Sequence, residues 1–222
     1  MKGINGQICW SCQSEVKDYF CVQCGRIQPI PACDDFFSYL GLERKLNQDL
    51  SKIERIFHTL SRQFHPDFFQ NKSPEEQAVS LENSSVLNKA YRTLRDPLSR
   101  IEYLIQLEKG DSEGIRAKAP PDLLEEVLEL QEKLEEIRTL KQEGDGLLLE
   151  KAKGDLTHEL TNLEKRLIIL QDQIIQLSGQ WDRAQDQGLE TEKGKILLDF
   201  RNILSHRTYI MNIIEDLKSE LS

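Results

Sequence analysis

Beyond residue 33 the chain has no cysteine; all five fall within the first 33 of its 222 residues. It also lacks any apolar run near the roughly 18–20 residues of a membrane span. No phosphate-cradling glycine loop and no dinucleotide fingerprint occurs anywhere. After residue 33 no strand-like alternation of useful length appears. The opening Met1-Lys-Gly-Ile-Asn-Gly6 has neither an apolar core nor an Arg/Ser-rich amphipathic stretch. This form is therefore expected in the cytoplasm, with the mitochondrial matrix as the alternative if a transit peptide is absent from it. An excess of basic charge is missing too: 29 Lys+Arg face 38 Asp+Glu, a net charge of −9 with a pI near 5.1. General binding to nucleic acid or to an anionic membrane surface is disfavoured, since like charges repel.

The deficit is local. Residues 1–110 hold 14 basic and 14 acidic side chains, residues 111–222 hold 15 and 24. With 38% of residues in the class AVILMFWYC, the chain is too apolar and too patterned to be disordered, and has enough apolar surface for packed helices. Asp34-Asp35 can cap a short helix through Phe36, Phe37 and Leu40 that ends at Gly41. From about Asn47 to Phe64 the apolar positions Leu50, Ile53, Ile56, Phe57, Leu60 and Phe64 step by three and four, the signature of an amphipathic helix. Ser73-Pro74-Glu75-Glu76 starts another helix, running to about Leu94, and Asp96-Pro97 resets the chain into a fourth. Residues 111–119 form the linker. Leu123 to Leu140, Leu149 to Leu177 and Ile196 to Leu221 mark three long helices with near-heptad spacing, joined by short turns. They fold most simply into an antiparallel bundle, with Arg207 in one seam position, able to pair with Glu164 or to extend outward. The expected fold is all-α apart from a small N-terminal zinc knuckle. Its parts are an extension over 1–33, a four-helix domain over 34–110 and a three-helix bundle over 120–222.

Cys9-Trp-Ser-Cys12 and Cys21-Val-Gln-Cys24 are two C-x-x-C pairs. Each pair bends the backbone so that both thiolates point at one centre, and two pairs complete a tetrahedral sulfur shell. A single structural zinc ion is the expected cofactor. It would supply folding energy to a stretch too small to bury a core of its own. Two disulfides, a dithiol redox pair or an iron centre are the alternatives. Cys33 reads as a small thiol, buried or at the surface, and not as a ligand.

His65-Pro66-Asp67 lies between two amphipathic helices, the first of which carries Lys52, Arg55 and Arg62. A loop held by a helical hairpin is a rigid recognition platform. Over residues 34–108 this arrangement resembles the J-domain of DnaJ-type co-chaperones. The resemblance implies that His65, Pro66 and Asp67, with Lys52, Arg55 and Arg62, contact a seventy-kilodalton heat-shock (DnaK/HscA-type) ATPase and stimulate it. The stretches Leu60-Ser-Arg-Gln-Phe-His-Pro-Asp-Phe-Phe69, Asn88-Lys-Ala-Tyr-Arg-Thr-Leu-Arg-Asp-Pro-Leu-Ser-Arg-Ile-Glu-Tyr-Leu104 and Leu128-Glu-Leu-Gln-Glu-Lys-Leu134 are similar to the HscB type, the J-proteins of iron–sulfur cluster biogenesis. The paired cysteines resemble the zinc extension of the eukaryotic-type members. In that family the C-terminal bundle binds an IscU-type cluster scaffold. This places Leu124, Leu128, Glu129, Glu132 and Phe200 on the scaffold face. Glu125 departs from the family, which often has Met there.

The resemblance implies a non-enzymatic adaptor that holds a scaffold while triggering a chaperone ATPase. Two alternatives are a zinc or dithiol redox enzyme using the C-x-x-C pairs and a general J-protein with another client. A third is a coiled-coil assembly protein. The turn at Gly144-Asp-Gly146 folds the heptads back within one chain, leaving room only for weak self-association.

Overall fold

The computed structural model describes residues 7–30, 35–109, 121–144 and 146–221. Cys33, the predicted linker and the Leu124 side chain lie outside the described residues. The chain divides into two compact units, residues 1–111 and 112–222. As the patterning predicts, the architecture is helical apart from the N-terminal extension.

In the first unit a two-stranded antiparallel ribbon, β1 (Gln7–Ile8) and β2 (Glu15–Val16), is followed by an isolated bridge between Phe20 and Ile27. Four helical elements come next: α1 (Phe36–Tyr39), α2 (Leu50–Phe64), α3 (Pro74–Arg95) and α4 (Pro97–Lys109). The expected caps at Asp35 and Ser73 are present, and Asp49 adds one that the periodicity did not mark. Asp35 accepts from the Ser38 N–H, Asp49 from Lys52 and Ser73 from Glu76. The cap at Asp49 also corrects the expected start of α2. With the Asp49 carboxylate satisfying the first turn, the helix begins at Leu50 and not near Asn47. Leu50 sits in that first turn, half exposed, while Ile53, Leu60 and Phe64 are buried. Phe57 keeps partial exposure and stacks on Tyr91, with ring centroids 4.0 Å apart. Leu87, Ala90 and Leu94 of α3 and Ile101, Leu104 and Ile105 of α4 are buried with them. Arg100 is buried as well. It donates to the Leu94 carbonyl at 2.6 Å and to the Leu46 carbonyl, which fastens the start of α4 to the loop before α2.

The second unit holds α5 (Pro121–Glu143), α6 (Gly146–Gln187) and α7 (Glu190–Leu221). α5 ends at Gly144, whose φ of 77° and N–H bond back to Leu140 form a left-handed cap; this conformation suits a residue without Cβ. Leu130, Ile137, Leu156, Leu163, Ile210, Ile213, Ile214 and Leu217 form the core, and the predicted heptad positions of α6 pack on it. Ion pairs bridge the helices at the rim of this core: Arg166 to Glu126 at 2.5 Å, Lys133 to Glu159 at 3.0 Å and Lys218 to Glu164 at 2.8 Å. Glu164 is thus taken by Lys218 and not by Arg207. On α7 the expected seam residues Ile196, Phe200, Ile210, Ile214 and Leu217 are buried; only in the middle does the seam depart from expectation, with Leu204 inside and Ile203 partly exposed. Among the described residues no helix is long and apolar enough to cross a membrane.

Candidate functional site

The two C-x-x-C segments fold as copies of one turn. In each, the first cysteine N–H bonds to the carbonyl five residues on: Cys9 to Ser14 at 2.8 Å, Cys21 to Arg26 at 2.9 Å. In each, the residue four beyond that cysteine donates back to it and takes a positive φ: Gln13 at 61° and Gly25 at 71°. The strand pairs flanking the turns, Ile8 with Glu15 and Phe20 with Ile27, repeat the same relation. Cysteine spacing alone conceals this doubling, because Gln13 does in one turn what glycine does in the other.

All four sulfurs lie within 4.8 Å of one another, with Cys9 and Cys24 at 3.6 Å and Cys12 and Cys21 at 3.6 Å. A tetrahedron with zinc–sulfur bonds of about 2.3 Å has edges of about 3.8 Å, so the donors fit that ion. Cys9 and Cys21 are buried, Cys12 and Cys24 exposed. The Ser14 hydroxyl bonded to Cys21 is the main cause that lowers this thiol to about 6. Burial would raise Cys9, but the N–H groups of Cys12 and Ser11 outweigh it and hold it below the ordinary thiol value. At Cys24 the Arg26 N–H acts to lower, yet burial and the three neighbouring thiols push it up to about 11. Four converging sulfurs are the donor set that a tetrahedral metal ion takes as thiolates.

The His65-Pro66-Asp67 turn forms where α2 ends. Its residues open a one-turn 3-10 helix, Pro66–Phe69, with His65 as the cap. The Asp67 N–H donates to His65 Nδ1 at 3.3 Å, and the Asp67 carboxylate lies 3.5 Å from the same nitrogen. Both side chains are at least half exposed, so this local pairing leaves them open to a partner. Phe69 anchors the turn inward while Phe68 points out, 67% exposed. The last carbonyl of α2, on Phe64, accepts from the Ser80 hydroxyl at 2.6 Å and from Ser84 at 2.8 Å. Those serines of α3 therefore hold the end of α2 in place, a role that no motif announces.

The predicted basic contacts are where helical periodicity puts them. Lys52, Arg55 and Arg62 are exposed on α2. At 100° per residue they fall within about 80° of one another and roughly 150° from the buried Ile53–Leu60–Phe64 stripe. Arg55 stays 70% exposed although Asp49 lies 3.8 Å away.

In the second unit Leu128 is 59% exposed, and Glu129 and Glu132 flank it in solvent. They lie roughly opposite Val127, Leu130, Leu134 and Ile137, which pack on the core. Leu124 precedes Leu128 by one turn in register. Phe200 does not belong to this surface: it is 0% exposed, a core side chain. The other aromatic of α7, Tyr209, is only partly buried against the Leu130 cluster and keeps an accessible edge. Apolar spacing singled out Phe200 and passed over Tyr209, and packing reverses which of the two rings a partner can reach.

The DnaJ domain family matches residues 35–103. The chain is 35% identical over 132 residues to the iron-sulfur cluster co-chaperone protein HscB of Mus musculus, covering 57% of this chain and 56% of that protein. It is 33% identical over 132 residues to the HscB homolog of Arabidopsis thaliana, covering 60% of this chain and 52% of the relative. To HscB of Homo sapiens it is 34% identical over 145 residues, 60% of each chain. The chain thus matches between half and two thirds of the length of these curated relatives. Among solved structures it is similar to human co-chaperone protein HscB, with a TM-score of 0.64 at 26% identity over 96% of this chain and 97% of that one. It is also similar to chaperone HscB from Vibrio cholerae, with a TM-score of 0.59 at 25% identity over 85% of this chain and 100% of that one.

Proposed function

We propose that this chain, a homologue of the HscB co-chaperones with a DnaJ domain at residues 35–103, acts as a non-enzymatic adaptor between a chaperone ATPase and an iron–sulfur scaffold. The observation that carries the reading is the exposed His65-Pro66-Asp67 turn, anchored from behind by Ser80 and Ser84 and set at the end of a helix whose outer face is basic. Asp67 presents a carboxylate that an arginine of a DnaK/HscA-type ATPase can grip in bidentate fashion. Lys52, Arg55 and Arg62 supply the charge that steers an acidic partner surface onto the same side.

The scaffold-binding role falls to the outer face of α5, with Leu128 as the apolar centre and Glu129 and Glu132 at its rim, and Leu124, four residues earlier in the sequence, is proposed to share that role. Tyr209 replaces Phe200 as the aromatic on α7 that a partner can reach. Holding client and ATPase trigger in one chain raises the effective concentration of each for the other, so the adaptor needs no chemistry of its own.

Cys9, Cys12, Cys21 and Cys24 would hold one zinc ion, which gives rigidity to the extension and closes its two turns on each other. Four sulfurs already fill a tetrahedral shell, which favours a structural site over a redox or hydrolytic one. The chain would work in the compartment that holds its scaffold, the cytoplasm or the mitochondrial matrix.

The test is steady-state ATP turnover by a DnaK/HscA-type chaperone with an IscU-type scaffold, comparing wild type with His65→Gln. Wild type should raise turnover and the variant should not. Equal stimulation by both would refute the reading.

A further inference from the structure

The cysteine extension and the His65-Pro66-Asp67 turn are linked by an unbroken set of short contacts within the first unit. Gln28 is buried; its side-chain amide donates to Cys9 Sγ at 3.4 Å, and its carboxamide oxygen accepts from the Trp10 N–H at 3.3 Å. The Gln28 main-chain carbonyl accepts from Asn83 Nδ2 at 2.9 Å, and the Ile30 N–H donates to Asn83 Oδ1 at 3.1 Å. Asn83, 1% exposed, thus clamps the extension by donor and acceptor at once, as a strand partner would. It lies on the face of α3 that carries Ser80 and Ser84, three residues after one and one before the other, and those serines hold the Phe64 carbonyl. A second arm is direct: the Tyr19 ring meets Phe64 edge-on, centroids 5.1 Å apart, and the Gln28 N–H donates to the Tyr19 carbonyl at 2.9 Å. Phe64 is the residue immediately before His65.

We propose that Asn83 is a positioning residue, which together with Ser80 and Ser84 transmits the metal state of the four cysteines to the His65-Pro66-Asp67 turn. The physical cause is the cost of a buried amide without partners. When the sulfur shell is empty the extension loses its main source of order, and Gln28 and Ile30 leave Asn83. The Asn83 amide must then find water, Tyr19 uncovers Phe64, and the end of α2 loosens. With metal bound, the extension sits on α3 and Phe64 and holds the turn still. The metal acts here only through order; it touches neither the turn nor a reacting atom. The inference rests on the proposed docking role of the turn for its meaning, but not for its test.

The experiment is amide hydrogen exchange on the full chain, loaded with Zn2+ and then stripped with a chelator, with no chaperone present. In wild type, chelation should speed exchange at residues 64–69 about tenfold, along with the extension itself. In Asn83→Leu, which keeps the branched heavy-atom shape but removes donor and acceptor, residues 64–69 should exchange fast even with zinc, and chelation should add little there while residues 7–30 still respond. Ser80→Ala with Ser84→Ala, which leaves Asn83 intact, should give the same uncoupling and serves if the leucine variant folds poorly. Unchanged exchange at 64–69 on chelation, or a full metal response in both variants, would overturn the proposal. Failure of ATPase stimulation alongside intact coupling would count against the docking role only.

Discussion

At the scale of single residues, Gly25 closes the second C-x-x-C turn, its N–H bonded back to the Cys21 carbonyl. Gly25 sits at φ 71° with nothing within 4 Å of where a Cβ would stand, so any cost of replacing it is conformational and not a clash. Gly25→Ala should weaken the zinc-loaded first unit by about 1 kcal/mol, the ordinary penalty for a left-handed alanine. A chelator-competition titration should read this as roughly a fivefold loss of zinc affinity, because binding and folding of the extension are one equilibrium. Gly25→Asn should recover part of the loss, since asparagine tolerates that conformation. An alanine variant with unaltered affinity would show that the turn can relax. Gln13 already bears the same φ without being glycine.

At the scale of elements, helix faces sort the candidates. Leu128 is exposed on α5 and Phe200 is enclosed on α7, although both are large apolar residues at helical spacing. Leu124→Ala combined with Leu128→Ala should abolish binding to an IscU-type scaffold in calorimetry while leaving helicity by circular dichroism unchanged. Phe200→Ala should do the reverse kind of damage: about 3–5 kcal/mol of lost stability from the cavity it leaves, with weaker binding only as a consequence of unfolding. Full scaffold affinity in the double leucine variant would remove the α5 face from the site. Tyr209→Ala should weaken binding with a smaller effect on stability, because only part of that ring is buried.

At the scale of the whole molecule, charge is divided along the chain. The net −9 comes from residues 111–222, while residues 1–110 balance at 14 and 14. An acidic protein can still be steered onto an acidic partner if the docking helix presents its own cations within a screening length of the contact. Arg62→Glu should therefore slow association with the chaperone about tenfold at low salt, read by stopped-flow fluorescence. The gap between variant and wild type should narrow as salt rises, because exposed charges beyond about 8–10 Å are then screened. A gap independent of salt would point to a lost contact and away from steering.

What the sequence determined by itself is everything written in short-range pattern. The three- and four-residue steps marked the long helices, Asp35, Ser73 and Asp96 marked helix starts, and the C-x-x-C spacing marked the sulfur cluster. The His65-Pro66-Asp67 break between a basic helix and the next one marked the exposed turn that ends α2. Each is local, so a few neighbouring residues suffice to specify it. The tertiary structure alone decided which apolar rings of α7 are enclosed and that Ser80 and Ser84 secure the Phe64 carbonyl. It also decided that Asn83 holds main-chain groups 55 residues away in sequence, at Gln28. Those outcomes depend on which helix lies against which, and on side chains bonding to main-chain atoms that carry no residue identity. A hydrogen bond to a carbonyl leaves no trace in the residue that owns the carbonyl, so no reading of spacing could have found it.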